Sequence, residues 1–95
     1  MRFTWDEQKN RSNRQKHSIS FQIAAQVFLD PLHISHQDRI VEGEERWQTI
    51  GMANGMLLIL VAYAVIDEDE EFIRIISARK ATRQERIEYE EANEI

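Results

Sequence analysis

Arg46-Trp47-Gln48-Thr49-Ile50-Gly51-Met52-Ala53-Asn54-Gly55-Met56-Leu57-Leu58-Ile59-Leu60-Val61-Ala62-Tyr63-Ala64-Val65-Ile66 is the stretch that sets the architecture. Residues 46–50 alternate polar and apolar, the period of a half-buried strand, and the alternation ends at Gly51. Asn54-Gly55 favours a hairpin, because both residues tolerate positive φ. Residues 56–66 are then apolar throughout, as expected of a central strand covered on both faces. At eleven residues this run falls far short of a membrane span, which needs roughly 20.

Outward from this hairpin the pattern stays regular. Asp67-Glu68-Asp69-Glu70-Glu71 reads as an acidic turn and residues 72–78 as another strand. Thr82-Arg83-Gln84-Glu85 has the capping-box spacing that opens a C-terminal helix, whose apolar face is thin (Ile87, Tyr89, Ala92). Upstream, residues 32–41 read as a strand of mixed character. Before them, Ser20 caps a helix whose stripe is Phe21, Ala24, Ala25, Val27 and Phe28, ended by Asp30-Pro31. Residues 2–5 alternate as a short strand. The expected architecture is α+β in one domain over residues 1–95: two N-terminal helices, an antiparallel sheet of three to four main strands, and a C-terminal helix, with the helices on one face of the sheet.

The first of those helices is unusual. From Asp6, a suitable N-cap, to Ser18 there is no apolar side chain, although 42% of the whole chain is hydrophobic. Lys9, Arg11, Arg14, Lys16 and His17 sit there against two acids. A surface helix docks through an apolar stripe. This one must stay mobile or dock through polar contacts, and its bases suggest that it faces a polyanion.

The net charge of −5 argues against a general nucleic-acid coat, but it hides strong patterning. Residues 1–20 carry five bases and two acids, and residues 21–71 carry two bases and ten acids. Residues 72–86 carry five bases and one acid, and the last nine carry four acids and no base. The two basic blocks form one patch if the fold joins them. The chain has no cysteine, which removes disulfides, thiolate sites and cysteine nucleophiles and fits a cytoplasmic protein. The N-terminus lacks the apolar core of a signal peptide, and no membrane association is expected. Nucleotide-binding, dinucleotide-binding, serine-hydrolase and zinc-peptidase motifs are absent.

Several side chains are candidates for chemistry, each with a plainer reading beside it. Arg79, Lys80 and Arg83 cluster where a strand hands over to a helix N-terminus, a place that favours anions; otherwise they are solvated. Arg74 lies inside an apolar strand, where it either faces a groove or pairs with a neighbouring carboxylate. Strict alternation puts Arg74 and Arg79 on opposite faces unless a bulge intervenes. His17 either caps its helix or transfers protons, since histidine titrates nearest neutrality. Arg46 and Trp47 suit phosphate contact and base stacking, or an ion pair and core packing. His33 and His36, three apart in a strand-like region, point to opposite faces with nothing to complete a ligand set. No metal and no cofactor are expected.

Taken together, Trp5-Asp6, Lys9, Asn13, Lys16-His17, Ile19-Ser20-Phe21 with Ala24-Ala25, Val27-Phe28 and Asp30-Pro31 resemble the BrnT toxin family. So do Gly43-Glu44-Glu45-Arg46 with Ile50-Gly51, and Arg74-Ile75-Ile76-Ser77-Ala78-Arg79-Lys80-Ala81-Thr82 with Glu85, Arg86 and Tyr89. The resemblance runs in order from Phe3 to about Glu91. It implies a RelE-like fold and a metal-independent ribonuclease toxin of a type II toxin–antitoxin pair. It further implies a BrnA-like antitoxin that binds the toxin directly, covers its active surface and carries the DNA contact, so that DNA is reached only through the antitoxin.

Metal-free RNA cleavage needs a base for the 2′-hydroxyl, positive charge on the developing phosphorane and an acid for the leaving 5′ oxygen. The chain offers His17 and Lys9 for proton transfer, and Arg46, Arg74 and Arg79 for charge. Arg11, Arg14, Lys16, Lys80 and Arg83 remain for RNA binding. Glu85 either orients a guanidinium, acts as base, or only caps its helix. This assignment requires Arg46, Arg74, Arg79 and His17 to share one cleft. The competing expectation is a non-catalytic module that acts only by complex formation with a partner protein.

Overall fold

The computed structural model describes residues 1–95. Along the chain lie β1 (Arg2–Thr4), α1 (Glu7–His17), α2 (Phe21–Ala25), a 3₁₀ turn (Gln26–Leu29), β2 (Ile34–Val41), β3 (Glu44–Ala53), β4 (Leu57–Asp67), β5 (Phe72–Lys80) and α3 (Arg83–Ala92). The strands form one sheet in the order β1-β5-β4-β3-β2, antiparallel except for the parallel pair of β1 with β5. The sheet thus has five strands rather than three to four. The fifth is β1, the short strand expected at residues 2–5, whose pairing with β5 from the other end of the chain has no local signal. No helix is long and apolar enough to cross a membrane.

The hairpin of β3 and β4 turns at Asn54 (φ 55°) and Gly55 (φ 66°), as the dipeptide demands. A second such pair, Glu42 (φ 51°) and Gly43 (φ 79°), joins β2 to β3. Gly51 does not end β3. It lies inside the strand, paired with Ile59, and is glycine because the chain from the 3₁₀ turn crosses there: a Cβ would stand 2.8 Å from Val27 Cγ1 and 2.9 Å from His33 Cβ. The helix expected to run to residue 29 accordingly tightens after Ala25 into the 3₁₀ turn that seats Val27.

Helices cover both faces, not one. Ile59 and Val61 of β4 pack with Ile19, Phe21, Ala24, Val27, Ile75 and Ala78 under α1 and α2. Leu58 and Leu60 point the other way and pack with Ile50 and Tyr89 of α3. A strand apolar on both faces needs cover on both, and that requirement overrides the usual segregation of helices in α+β domains.

α1 docks through buried amides, since it has no apolar stripe. Asn10 Oδ1 accepts from Phe21 N (2.8 Å). Asn13 Nδ2 donates to Ile19 O and Ala78 O (both 2.8 Å), and its Oδ1 accepts from Ala78 N (3.1 Å). β1 pairs only with residues 72–74 of β5, so the edge beyond lacks a strand, and the Asn13 amide takes that strand's place. Asp30 does the same on the opposite side of the sheet. Its Oδ2 accepts from Met52 N and from the Tyr89 hydroxyl (both 2.8 Å), beyond the point where β2 pairing begins. Burial raises the Asp30 carboxyl, but hydrogen bonds from Met52, Leu32 and Tyr89, with the charge of His33, bring it below its ordinary value.

Candidate active site

α3 covers only one end of its face of the sheet, where Ile50, Leu58 and Leu60 lie. Toward the other end the register places side chains in rows across the strands. Arg39, Arg46, Ala64 and Arg74 are mutual neighbours in one row, and His36, Gln48, Ala62 and Ser77 in another. Arg79 stands opposite Leu60, at the margin of the part covered by α3.

Two bulges create this arrangement. Ile76 is the extra residue between Ser77, opposite Ala62, and Ile75, opposite Tyr63. It resets the parity of β5, so that Arg74 and Arg79, five residues apart, share a face. Their partners Ala64 and Leu60 are four apart on β4, a separation of about 13 Å at the usual strand rise. Asp38 plays the same part in β2, bringing His36 and Arg39 to one face.

The arginines differ in how they are held. Arg79 makes a two-pronged pair with Glu85 (Nη1 to Oε1 2.7 Å, Nη2 to Oε2 2.9 Å) and also donates to Lys80 O. Glu85 completes the capping box, accepting from Thr82 N (2.8 Å). The Arg79 hydrogen bond holds the Glu85 carboxyl below its ordinary value against the effect of burial, and Glu85 in turn raises Arg79. Arg46 Nε and Arg74 Nη2 both donate to one oxygen, Glu44 Oε1 (3.2 and 2.5 Å). The Arg74 bond, with that from Arg46, keeps the Glu44 carboxyl low.

A cleft of about 210 Å³ lies beside this face, between α1 and the bulge of β5. Lys9, Ser12, Asn13, Lys16 and His17, spaced as one helical stripe, form one wall. Ile76 and Ser77 form the other. β5 is therefore shared: Ser77 lines the cleft and also lies between Arg74 and Arg79 along the strand.

The expectation of one cleft holding Arg46, Arg74, Arg79 and His17 is corrected. Arg46 and Arg74 meet on Glu44, Arg79 is committed to Glu85, and His17 sits with Lys9 and Lys16 on the other side of β5. The RNA-binding set divides as well. Lys16 enters the cleft, Arg11 and Arg14 face away with Gln15, and Lys80 and Arg83 are exposed where β5 passes to α3. Trp47 lies opposite Tyr63, on the face away from Arg46. The bases without an ion pair are Lys9, Arg11, Arg14, Lys16, Lys80, Arg83 and Arg86, all from the two basic blocks. Arg46 and Arg74 take the ion-pair reading given beside the functional one, but that they share Glu44, and that His36, Arg39 and Gln48 join them on this face, is not expected from the sequence. Their only signal is a strand parity that the bulges conceal. The anchoring amides Asn10 and Asn13 had a clue, an i, i+3 pair on a helix that lacks an apolar stripe.

A family model described as "Ribonuclease toxin, BrnT, of type II toxin-antitoxin system" matches residues 5–85. Among solved structures, the 1.1 Å crystal structure of the Brucella abortus ribonuclease toxin BrnT is similar, with 27% identity and a TM-score of 0.64. The match covers 87% of this chain and 99% of that one. No curated protein matches the chain.

Proposed function

The chain belongs to the BrnT family of ribonuclease toxins of type II toxin–antitoxin systems, and from that premise we propose that it cleaves RNA itself, without a metal, at the cleft between α1 and β5. We read its α+β fold as a variant of the RelE-like scaffold, acting in the cytoplasm and held inactive by direct binding of a BrnA-like antitoxin through which alone it reaches DNA.

One observation carries this reading. The two basic blocks, 58 residues apart in sequence from Lys16 to Arg74, meet along β5 because the Asn13 amide clamps α1 to Ala78. Lys9 and Lys16 in the cleft therefore stand beside the strand that carries Arg74 and Lys80, a route for a polyanion. In the cleft, His17 takes the 2′-hydroxyl proton and the 2′ oxygen attacks phosphorus. The bond to the 5′ oxygen then breaks as that oxygen gains a proton from Lys9. Lys16 in the cleft, and Arg46 and Arg74 on the adjoining face, oppose the negative charge of RNA; Arg79 contributes by fixing the start of α3.

The test is cleavage of RNA by purified protein in excess chelator. His17→Ala should slow it by about 10²- to 10⁴-fold, and Lys9→Ala should also slow it. Unchanged rates in both variants overturn the site, and no cleavage of any RNA by the parent overturns the function. A second reading is favoured by the carboxylates already bound to Arg46, Arg74 and Arg79: the face docks a protein partner and performs no chemistry. A non-catalytic protein would be tolerated on expression, whereas an enzyme arrests growth until the antitoxin is supplied.

A further inference from the structure

Arg46 and Arg74 differ from Arg79 in how many of their donors are used. A guanidinium presents five N–H donors. Arg79 uses both terminal nitrogens on both oxygens of Glu85, the geometry of a completed structural pair. Arg46 and Arg74 each make a single hydrogen bond, both to Glu44 Oε1, and Glu44 Oε2 receives none. Yet neither arginine is loose. Their side chains are 25% and 36% exposed, and Ala64, the residue between them in the row, is fully covered at 0%. Two partly buried guanidiniums thus converge on one point with most of their donors unfilled, and a single carboxylate oxygen occupies that point. Arg39 extends the row, with only its neighbour Asp38 beside it at 3.7 Å.

We propose that Arg39, Arg46 and Arg74 form a phosphodiester-binding subsite on the open half of the sheet, and that Glu44 fills it in the free protein and is displaced by RNA. The subsite rests on the reading of the protein as an RNA-cleaving enzyme and lies apart from the α1–β5 cleft, so it grips a phosphate flanking the one that is cut. A phosphodiester offers two non-bridging oxygens and one negative charge. It satisfies the two convergent guanidiniums better than one oxygen of Glu44, while Arg39 guides the next stretch of backbone. Glu44 prevents the bare pair from repelling itself and sets a threshold, because an RNA must exchange for it.

The experiment measures binding of a fluorescent single-stranded oligonucleotide with 2′-O-methyl riboses, which resists cleavage, across a range of salt concentrations. Removing the resident carboxylate with Glu44→Gln should tighten binding roughly two- to fivefold, the reach of a half-exposed ion pair. It should also steepen the slope of log K against log salt by about 0.7, one further phosphate contact on a single strand. Arg39→Ala, at an exposed position that holds no structure in place, should weaken binding and make the slope shallower by about 0.7. Weaker or unchanged binding by a folded Glu44→Gln protein overturns the displacement. An unchanged slope in Arg39→Ala overturns the subsite, even if Glu44→Gln fails to fold. These readouts do not involve cleavage. Binding that behaves as expected alongside absent cleavage refutes the ribonuclease reading and leaves the subsite standing; the converse refutes the subsite alone.

Discussion

Replacing Asn13 tests whether amides alone dock α1. Asn13 is 7% exposed and satisfies three backbone groups, the carbonyls of Ile19 and Ala78 and the N–H of Ala78. Each such bond contributes a net ~1 kcal/mol, and each group left buried without a partner costs ~1–3 kcal/mol. Water can reach some of the vacated edge, so Asn13→Ala should cost about 2–4 kcal/mol, a large part of the 5–15 kcal/mol of a typical domain. For a chain of this size that lowers the melting temperature by about 10–30 °C. Amide hydrogens of α1 and of residues 76–80 should exchange before those of β3 and β4. Asn13→Asp sharpens the test. A carboxylate keeps the acceptor for Ala78 N–H but turns an oxygen toward two carbonyls. The protonated form is then favoured in the fold, so the Asp variant should lose stability as pH rises above the ordinary carboxylate range. Arg11→Ala, on the exposed side of the helix, serves as control and should change stability by less than ~0.5 kcal/mol. A loss under ~0.5 kcal/mol for Asn13→Ala, with α1 still protected, would refute the docking argument.

Two further outcomes follow from the same geometry. Glu85→Ala removes both the capping box and the Arg79 pair, and should lower stability by about 1–2 kcal/mol in urea unfolding; a loss confined to activity would contradict the structural role given to Arg79. Burial, then the hydrogen bond to Asp30 and its charge, push the Tyr89 hydroxyl up to about 12. Its folded value is raised, so its contribution is complete below the unfolded value near ~10 and disappears as pH climbs from there toward about 12. Tyr89→Phe should flatten that alkaline decline in thermal unfolding. Asp30, Glu44 and Glu85 have the opposite sign. Their contributions stand above the ordinary carboxylate range and vanish as pH falls through it.

Much of the fold was legible because its signals are local. Asn54-Gly55 fixed a turn, Thr82 and Glu85 a helix start, and the apolar run before Ile66 a central strand, each within a few residues. What escaped depends on distant partners. β1 joins the sheet only because β5 returns beside it, and the strand carries a glycine at position 51 because Val27 crosses it there. The apolar character of both faces of β4 already required two helical layers. The tendency of α+β helices to gather on one face yields here to the strand's own two apolar faces.

The site was less legible for a narrower reason. Which face a strand residue occupies is a matter of odd or even counting, and one inserted residue inverts the answer for everything beyond it. Asp38 and Ile76 are such insertions. They lie on the two strands that flank the β3–β4 hairpin, each within one residue of the Trp47–Tyr63 level. Without them His36 and Arg39 would face opposite ways, and so would Arg74 and Arg79. The hairpin between has no bulge where it spans these rows, so Arg46, Gln48, Ala62 and Ala64 keep strict alternation and supply an even floor. The flanking strands therefore bring Arg39 and Arg74 into one row with Arg46, across a β4 whose residues on this face, Ala62 and Ala64, are small. No regular strand of this sequence could place Arg74 and Arg79 on the same face while keeping Ile73, Ile75 and Ala78 in the core. The bulge that forms a wall of the α1 cleft is thus also the device that carries the cationic surface round onto the open half of the sheet.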